Sequence, residues 1–210
     1  MTMKTWLMTG ILLAAGRAAA AEPDYPRAKV SYDDFKTLVG EVEPHRQKRL
    51  VDLETFLKMS REPGVVVLDT RSAMRYERIH LAGAKHLSFP DFTQDNLRGV
   101  IPTPDTKVLI YCNNNFDGNK VDFASKVFVP LRAPTPGSQL AAQEKPLMLA
   151  LNVPTYVTLY GYGYRNVYEL DELVKVSDPR ITFEGTVVDA ARPAGQNPKP
   201  AAKAGLLPER

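Results

Sequence analysis

An α/β fold with a parallel sheet is predicted by three features of the chain. Short continuous apolar runs rich in branched residues recur, at Val65–Leu68 and Val108–Tyr111, and such runs suit strands covered on both faces. Segments of helical spacing alternate with them, which implies right-handed crossovers in an α/β sheet, with helices on both faces of a central parallel sheet. The only cysteine, Cys112, directly follows the second run and opens a polar loop. Ligands and reacting groups of α/β sheets collect there, at the carboxyl ends of the strands.

The elements follow in order. Glu22 to Lys29 reads as an extended lead-in. Phe35, Leu38, Val39 and Val42 share a helical spacing, with Ser31, Asp33 and Asp34 as start signals. Glu43 to Lys48 is expected to be a polar connection. A second helix runs from Asp52, as its cap, to about Met59 and buries Leu53, Phe56 and Leu57; Pro63-Gly64 ends that unit. After the Val65–Leu68 strand come a helix around Ala73–Arg78, a strand within Ala84–Phe89, the cysteine strand, and a helix using Val121, Ala124, Val127 and Phe128. The stretch 130–146 holds Pro130, Pro134, Pro136, Gly137 and Pro146 and reads as an inserted surface loop. Leu147–Leu151 fits either an extra strand or a helix start. Pro154–Tyr160 forms a short helix with Pro154 tolerated in its first turn and Gly161 as a stop, and Asn166–Leu170 is the last strand. Ala190–Arg210, rich in Ala, Pro and Lys, reads as a disordered tail. The expected division is therefore a leader over 1–21, a partly helical extension over 22–49, a domain over 50–188 and a tail over 189–210.

The leader has the pattern of a secretory signal: a charge at Lys4, an apolar stretch from Trp6 to Ala15, and small residues at Ala18–Ala21. Its apolar stretch is shorter than the roughly 20 residues needed to span a bilayer; with Arg17 near the cleavage region, the alternative is an uncleaved amino-terminal anchor. The expected location is a periplasm or the exterior, with no membrane attachment after cleavage. Removing Lys4 and Arg17 takes 27 basic residues to 25 against 24 acidic ones, so the basicity largely disappears. No basic stripe is present, and nucleic acid is not an expected partner. One cysteine makes no internal disulfide, so in an oxidising compartment it is a reactive group, an intermolecular partner, or a buried small hydrophobe.

The loop Asn113, Asn114, Asn115, Phe116, Asp117, Gly118, Asn119 is the candidate cradle for substrate. Asn and Gly tolerate the left-handed conformations that turn successive N–H groups inward. A helix beginning near Lys120 would add its dipole to stabilise a thiolate, the nucleophilic form. The alternative for Asn113–Asn115 is a turn without a chemical role. Asp69 and Arg71 read as a structural pair and loop anchor, and His80 as a scaffold residue rather than a base for Cys112. His80 and His86 do not combine with Cys112 into a metal site on their spacing. Tyr156, Tyr160, Tyr162 and Tyr164 read as core and rim packing rather than a recognition surface. No cofactor is expected.

Four segments in order carry a resemblance: Leu68-Asp69-Thr70-Arg71, Tyr76-Glu77-Arg78-Ile79-His80-Leu81-Ala82-Gly83-Ala84, Val108-Leu109-Ile110-Tyr111-Cys112, and Tyr164-Arg165-Asn166-Val167-Tyr168. Their order and spacing resemble the rhodanese-like family of sulfurtransferase domains over roughly Leu50–Leu170. The resemblance implies a rhodanese-like α/β fold in which Cys112 is the nucleophile. It would take sulfane sulfur from a small donor and pass it as a persulfide to a thiol or other nucleophilic acceptor, in two covalent steps.

The chain also departs from that pattern. Active thiosulfate sulfurtransferases usually carry a cation within the cysteine loop, whereas here none lies between Cys112 and Asn119, Asp117 adds an acid, and Lys120 is the first cation. Gly118 occupies the position where related phosphatases need an arginine. Ile79 stands in place of a usual glycine, and Arg75 where an acid is common. The rival expectation is accordingly a catalytically silent rhodanese-like module that binds a protein partner.

Overall fold

A computed structural model gives the structure of the chain and describes residues 25–126 and 150–190. The leading unit, ending at Ser31, has no regular element over its described residues 25–31. The expected signal, the 130–146 insertion, Leu147–Leu149 and the tail beyond Ala190 lie outside the described residues.

The main body begins with helix α1, Tyr32–Gln47, whose first turn carries Asp33 and Asp34 and whose last carries His45 and Arg46, matching the helix dipole at both ends. The polar connection expected over 43–48 is instead helical as far as Gln47 and passes through Pro44. Tertiary anchoring accounts for this. His45 Nδ1 lies 3.0 Å from the Tyr156 hydroxyl, and Arg46 donates two 2.6 Å hydrogen bonds to Glu169. Strand β1, Leu50–Val51, leads to α2, Leu53–Ser60. The Asp52 side chain caps α2 by accepting from the Thr55 N–H at 2.8 Å, and Leu53 and Phe56 are buried.

The remaining elements are β2 (Val66–Asp69), α3 (Ala73–Arg78), β3 (His80–Leu81), β4 (Lys85–His86), α4 (Gln94–Val100), β5 (Val108–Tyr111), β6 (Phe116–Asp117), α5 (Asn152–Gly161), β7 (Val167–Leu170), β8 (Val174–Lys175), β9 (Phe183–Glu184) and α6 (Thr186–Ala190). The main sheet has the order β1-β7-β5-β2-β4, and every pairing in it is parallel. Its register sets Asp69 opposite Tyr111 and Ile110 opposite Glu169. Successive strand residues point to opposite faces. Val67, Leu109 and Tyr111 therefore pack with Leu53 and Phe56 of α2, while Val66, Leu68, Val108 and Ile110 pack with Val42 of α1, Leu97 of α4 and Tyr156 of α5. The structure thus has the expected α/β architecture, a parallel sheet with helices on both faces. Two small sheets flank it, β3 with β9 antiparallel and β6 with β8 parallel. Among the described residues no helix is long and apolar enough to cross a membrane.

The helix expected after the cysteine loop is not formed over its described part: residues 120–122 make a turn and 124–126 no regular structure, while Val127 and Phe128 lie outside the described residues. The Asn119 side chain accepts from the Asp122 N–H at 3.0 Å and its carbonyl from the Phe123 N–H at 2.9 Å, one capped turn that is not continued. Phe123 is drawn into the core against Phe116 and Phe183, and Val121 is left 66% exposed. The helical pattern of apolar residues therefore has no surface to cover.

Gly185 joins β9 to α6 with φ +125°, and an added Cβ would lie 2.5 Å from the Arg78 carbonyl oxygen. Gly185→Ala should cost about 1–3 kcal/mol, read as a lower urea midpoint with unchanged slope.

Candidate functional site

Cys112 stands one residue beyond β5 and is 1% exposed. Residues Asn113–Asn115 turn tightly in a 3-10 helix capped by Cys112. The Asn115 N–H donates to the Cys112 carbonyl at 3.1 Å, and the Cys112 N–H donates to Asn115 Oδ1 at 2.9 Å. A donor to the sulfur itself arrives from far along the chain. The Leu151 N–H points at Cys112 Sγ from 3.4 Å, and Leu151 is the residue that precedes the first turn of α5.

The side chains around this contact are tied together. Asn115 Nδ2 donates to the Leu170 carbonyl at 2.7 Å and to the Glu172 carbonyl at 3.2 Å, at the end of β7. Asn152 Nδ2 donates to Asn115 Oδ1 at 3.0 Å. Sequence reasoning missed Leu151 and Asn152 as site residues, because the chain returns to the sulfur only 39 residues after Cys112. The legible trace was the helix-start signal of Asn152 followed by Pro154.

The loop side chains have separate partners. Asn113 is buried, with its Oδ1 3.5 Å from Arg71 Nη1. Asn114 Oδ1 accepts from the Lys126 N–H at 2.9 Å. Phe116 is a core ring, Asp117 is exposed in β6, and Gly118 has φ +95° beside Val176. Asn119 is bonded to Asp122. The dipole expected from a helix near Lys120 comes instead from α5, since no helix forms at 120–126.

Asp69 and Arg71 form the expected pair and are almost wholly buried. Arg71 Nη2 lies 2.6 Å from Asp69 Oδ2 and donates to the Ile79 carbonyl at 2.5 Å, and the Tyr111 hydroxyl donates to Asp69 at 2.6 Å. Burial opposes the Arg71 charge, but the Asp69 hydrogen bonds and carboxylate outweigh it and raise its pKa. Burial, reinforced by Asp69, holds the Tyr111 phenol neutral, well above its usual range. The guanidinium also lies 4.8 Å from the Phe123 ring centroid, a cation–π contact. His80 is engaged elsewhere: Nδ1 contacts the Tyr76 carbonyl at 2.6 Å, Nε2 lies 3.7 Å from Glu184, and the ring stacks on Tyr76 at 3.8 Å. Among the expected packing tyrosines, Tyr156 and Tyr164 are buried, while Tyr162 is 38% exposed and donates to the Phe92 carbonyl. Among the described residues no group of metal-ligating side chains gathers.

A backbone N–H on the sulfur at a helix amino end is an anion-stabilising arrangement. Leu151→Pro deletes that donor at a φ of −78° that proline adopts without strain. Alkylation of Cys112 by iodoacetamide at fixed pH should slow about tenfold, the scale of one hydrogen bond to a charged group.

The segment after the loop is held to α3 by charge. Arg78 Nε donates to Asp122 at 2.6 Å. Burial works against the Asp122 carboxylate, yet the hydrogen bonds from Arg78 and Asn119 and the Arg75 charge outweigh it and lower its pKa. A carboxyl held below its unfolded value contributes stability above that value and loses it as the pH falls through the folded pKa. Asp122→Asn should therefore be less stable near pH 7 by about 1 kcal/mol, allowing for solvent around Arg78. The gap should narrow below about pH 4, as paired urea melts at pH 7 and pH 3 would record.

No curated protein matches the chain. Among solved structures, that of the BH2092 protein from Bacillus halodurans is 19% identical, with a TM-score of 0.35, over 62% of this chain and 74% of that one. A family model of the rhodanese-like domain matches residues 52–172, a span that takes in the sheet from α2 to β7 and the cysteine turn. The chain belongs to the rhodanese-like domain family.

Proposed function

We propose that the protein is an exported sulfurtransferase that carries sulfane sulfur as a persulfide on Cys112. The observation that carries this reading is the Leu151 N–H, at the amino end of α5, 3.4 Å from Cys112 Sγ. A backbone donor there suits a thiolate, which serves as both nucleophile and leaving group in sulfur transfer. In the first step the Cys112 thiolate attacks the outer sulfur of a donor R–S–SH. The new S–S bond forms as the old one breaks, RS⁻ departs, and Cys112–S–SH remains. In the second step an acceptor thiolate attacks the outer sulfur, takes it with its hydrogen as a new persulfide, and releases the Cys112 thiolate. Neither step requires an external oxidant or reductant. Arg71 and Asp69 support the loop from beneath and are not assigned to either step. Export rests on the leader pattern of residues 1–21.

A second reading, a silent binding module, is favoured by one observation: Cys112 is 1% exposed, and buried structural cysteines are inert. Intact mass separates the two. After separate incubation with thiosulfate, mercaptopyruvate and glutathione persulfide, a sulfurtransferase gains the mass of one sulfur from at least one donor. Cyanide removes the gain, and Cys112→Ser does not show it. No gain from any donor, together with slow alkylation of the thiol, assigns the binding module.

A further inference from the structure

Asn152 holds a buried polar atom that the fold does not satisfy. The residue opens α5, is 9% exposed, and donates from Nδ2 to Asn115 Oδ1 at 3.0 Å. That orientation is imposed from the cysteine outward. The Cys112 N–H can only donate, so Asn115 turns its oxygen toward it. The Asn115 nitrogen is taken by the Leu170 and Glu172 carbonyls, which leaves its oxygen to meet Asn152. Rotating the Asn152 amide would set two oxygens against each other. Asn152 Oδ1 is therefore left buried, with no partner among the described residues. A buried acceptor left unpaired costs more than one ordinary hydrogen bond returns.

The amide at 152 is thus a poor choice for stability, and such choices gather where function sets the residue. Its neighbour in the chain, Leu151, supplies the N–H that stands 3.4 Å from Cys112 Sγ. A small outward drift of the helix start would end that contact. The side-chain tie from Thr155 to Thr70, at 3.0 Å, fixes α5 to the loop after β2 rather than to the cysteine turn.

We propose that Asn152 is a positioning residue: its amide, acting through Asn115, holds the start of α5 so that the Leu151 N–H meets the Cys112 sulfur. The orphaned oxygen is the cost of an amide that must present its nitrogen. The part this plays in sulfur transfer rests on the sulfurtransferase reading, whereas its effect on the thiol does not.

The test follows alkylation of Cys112 by iodoacetamide in the full chain, from about pH 6 to about pH 10. Asn152→Ala removes the orphaned oxygen together with the tie. Asn115 keeps the Cys112 N–H, so no buried group is stranded. Asn152→Leu does the same and refills the volume. Each should slow alkylation about threefold at pH 7, the scale of one neutral hydrogen bond, while the rate on the alkaline plateau stays that of the parent. The urea midpoint should be no lower than the parent's in at least one of the two. Added to Leu151→Pro, where the donor is already gone, either substitution should slow the reaction no further.

An unchanged rate at pH 7, or a loss of the same fraction at every pH, overturns the proposal. So does a full effect beside Leu151→Pro, or a lower midpoint in both variants. Persulfide loading of the parent, read by mass, is scored apart. Loading with an alkylation profile unmoved by the Asn152 variants removes the positioning role alone. A moved profile without loading leaves that role standing and removes the sulfurtransferase.

Discussion

The side-chain amide of Asn115 is the interaction on which the site depends. Its oxygen receives the Cys112 N–H and the Asn152 amide, and its nitrogen donates to the carbonyls of Leu170 and Glu172. All four hydrogen-bonding positions of the group are filled. One buried amide thereby joins the end of β5, the start of α5 and the end of β7, three places that are distant in sequence. Each bond contributes only about 1 kcal/mol net, but losing the amide would strand several buried partners at once. The Leu151 N–H is brought to the sulfur by the same tie.

Beneath this layer, Asp69, Arg71 and Tyr111 form a second buried polar assembly. The parallel register places Asp69 beside Tyr111, and Arg71 closes across both the carboxylate and the Ile79 carbonyl. A buried ion pair is weak ground for net stability. Its value here is positional: it fixes the loop after β2, the start of β3 and the base of the cysteine turn relative to one another. The Leu81 N–H donating to the Tyr111 hydroxyl at 3.1 Å extends that frame to the flanking sheet.

The alternation of apolar runs and helical spacing determined the α/β class, and the positions of α2, α3, β2, β5 and β7 followed within a few residues. Those elements are set by local periodicity, cap residues such as Asp52, and continuous burial, all of which are written along the chain. The four ordered motifs likewise located Cys112 and the Asp69–Arg71 pair. Tertiary structure alone decided that α1 continues through Pro44, because its last turn is held by Tyr156 and Glu169 from across the fold. It also decided that Phe123 turns into the core where the pattern of Val121 and Ala124 suggests a helix. Most of all, it decided which helix meets the sulfur. The sequence by itself placed a cysteine at the end of a strand. Only the closing of the sheet brought the N–H of Leu151 to it, because a backbone donor leaves no mark in residue type and its partner is chosen by three-dimensional proximity.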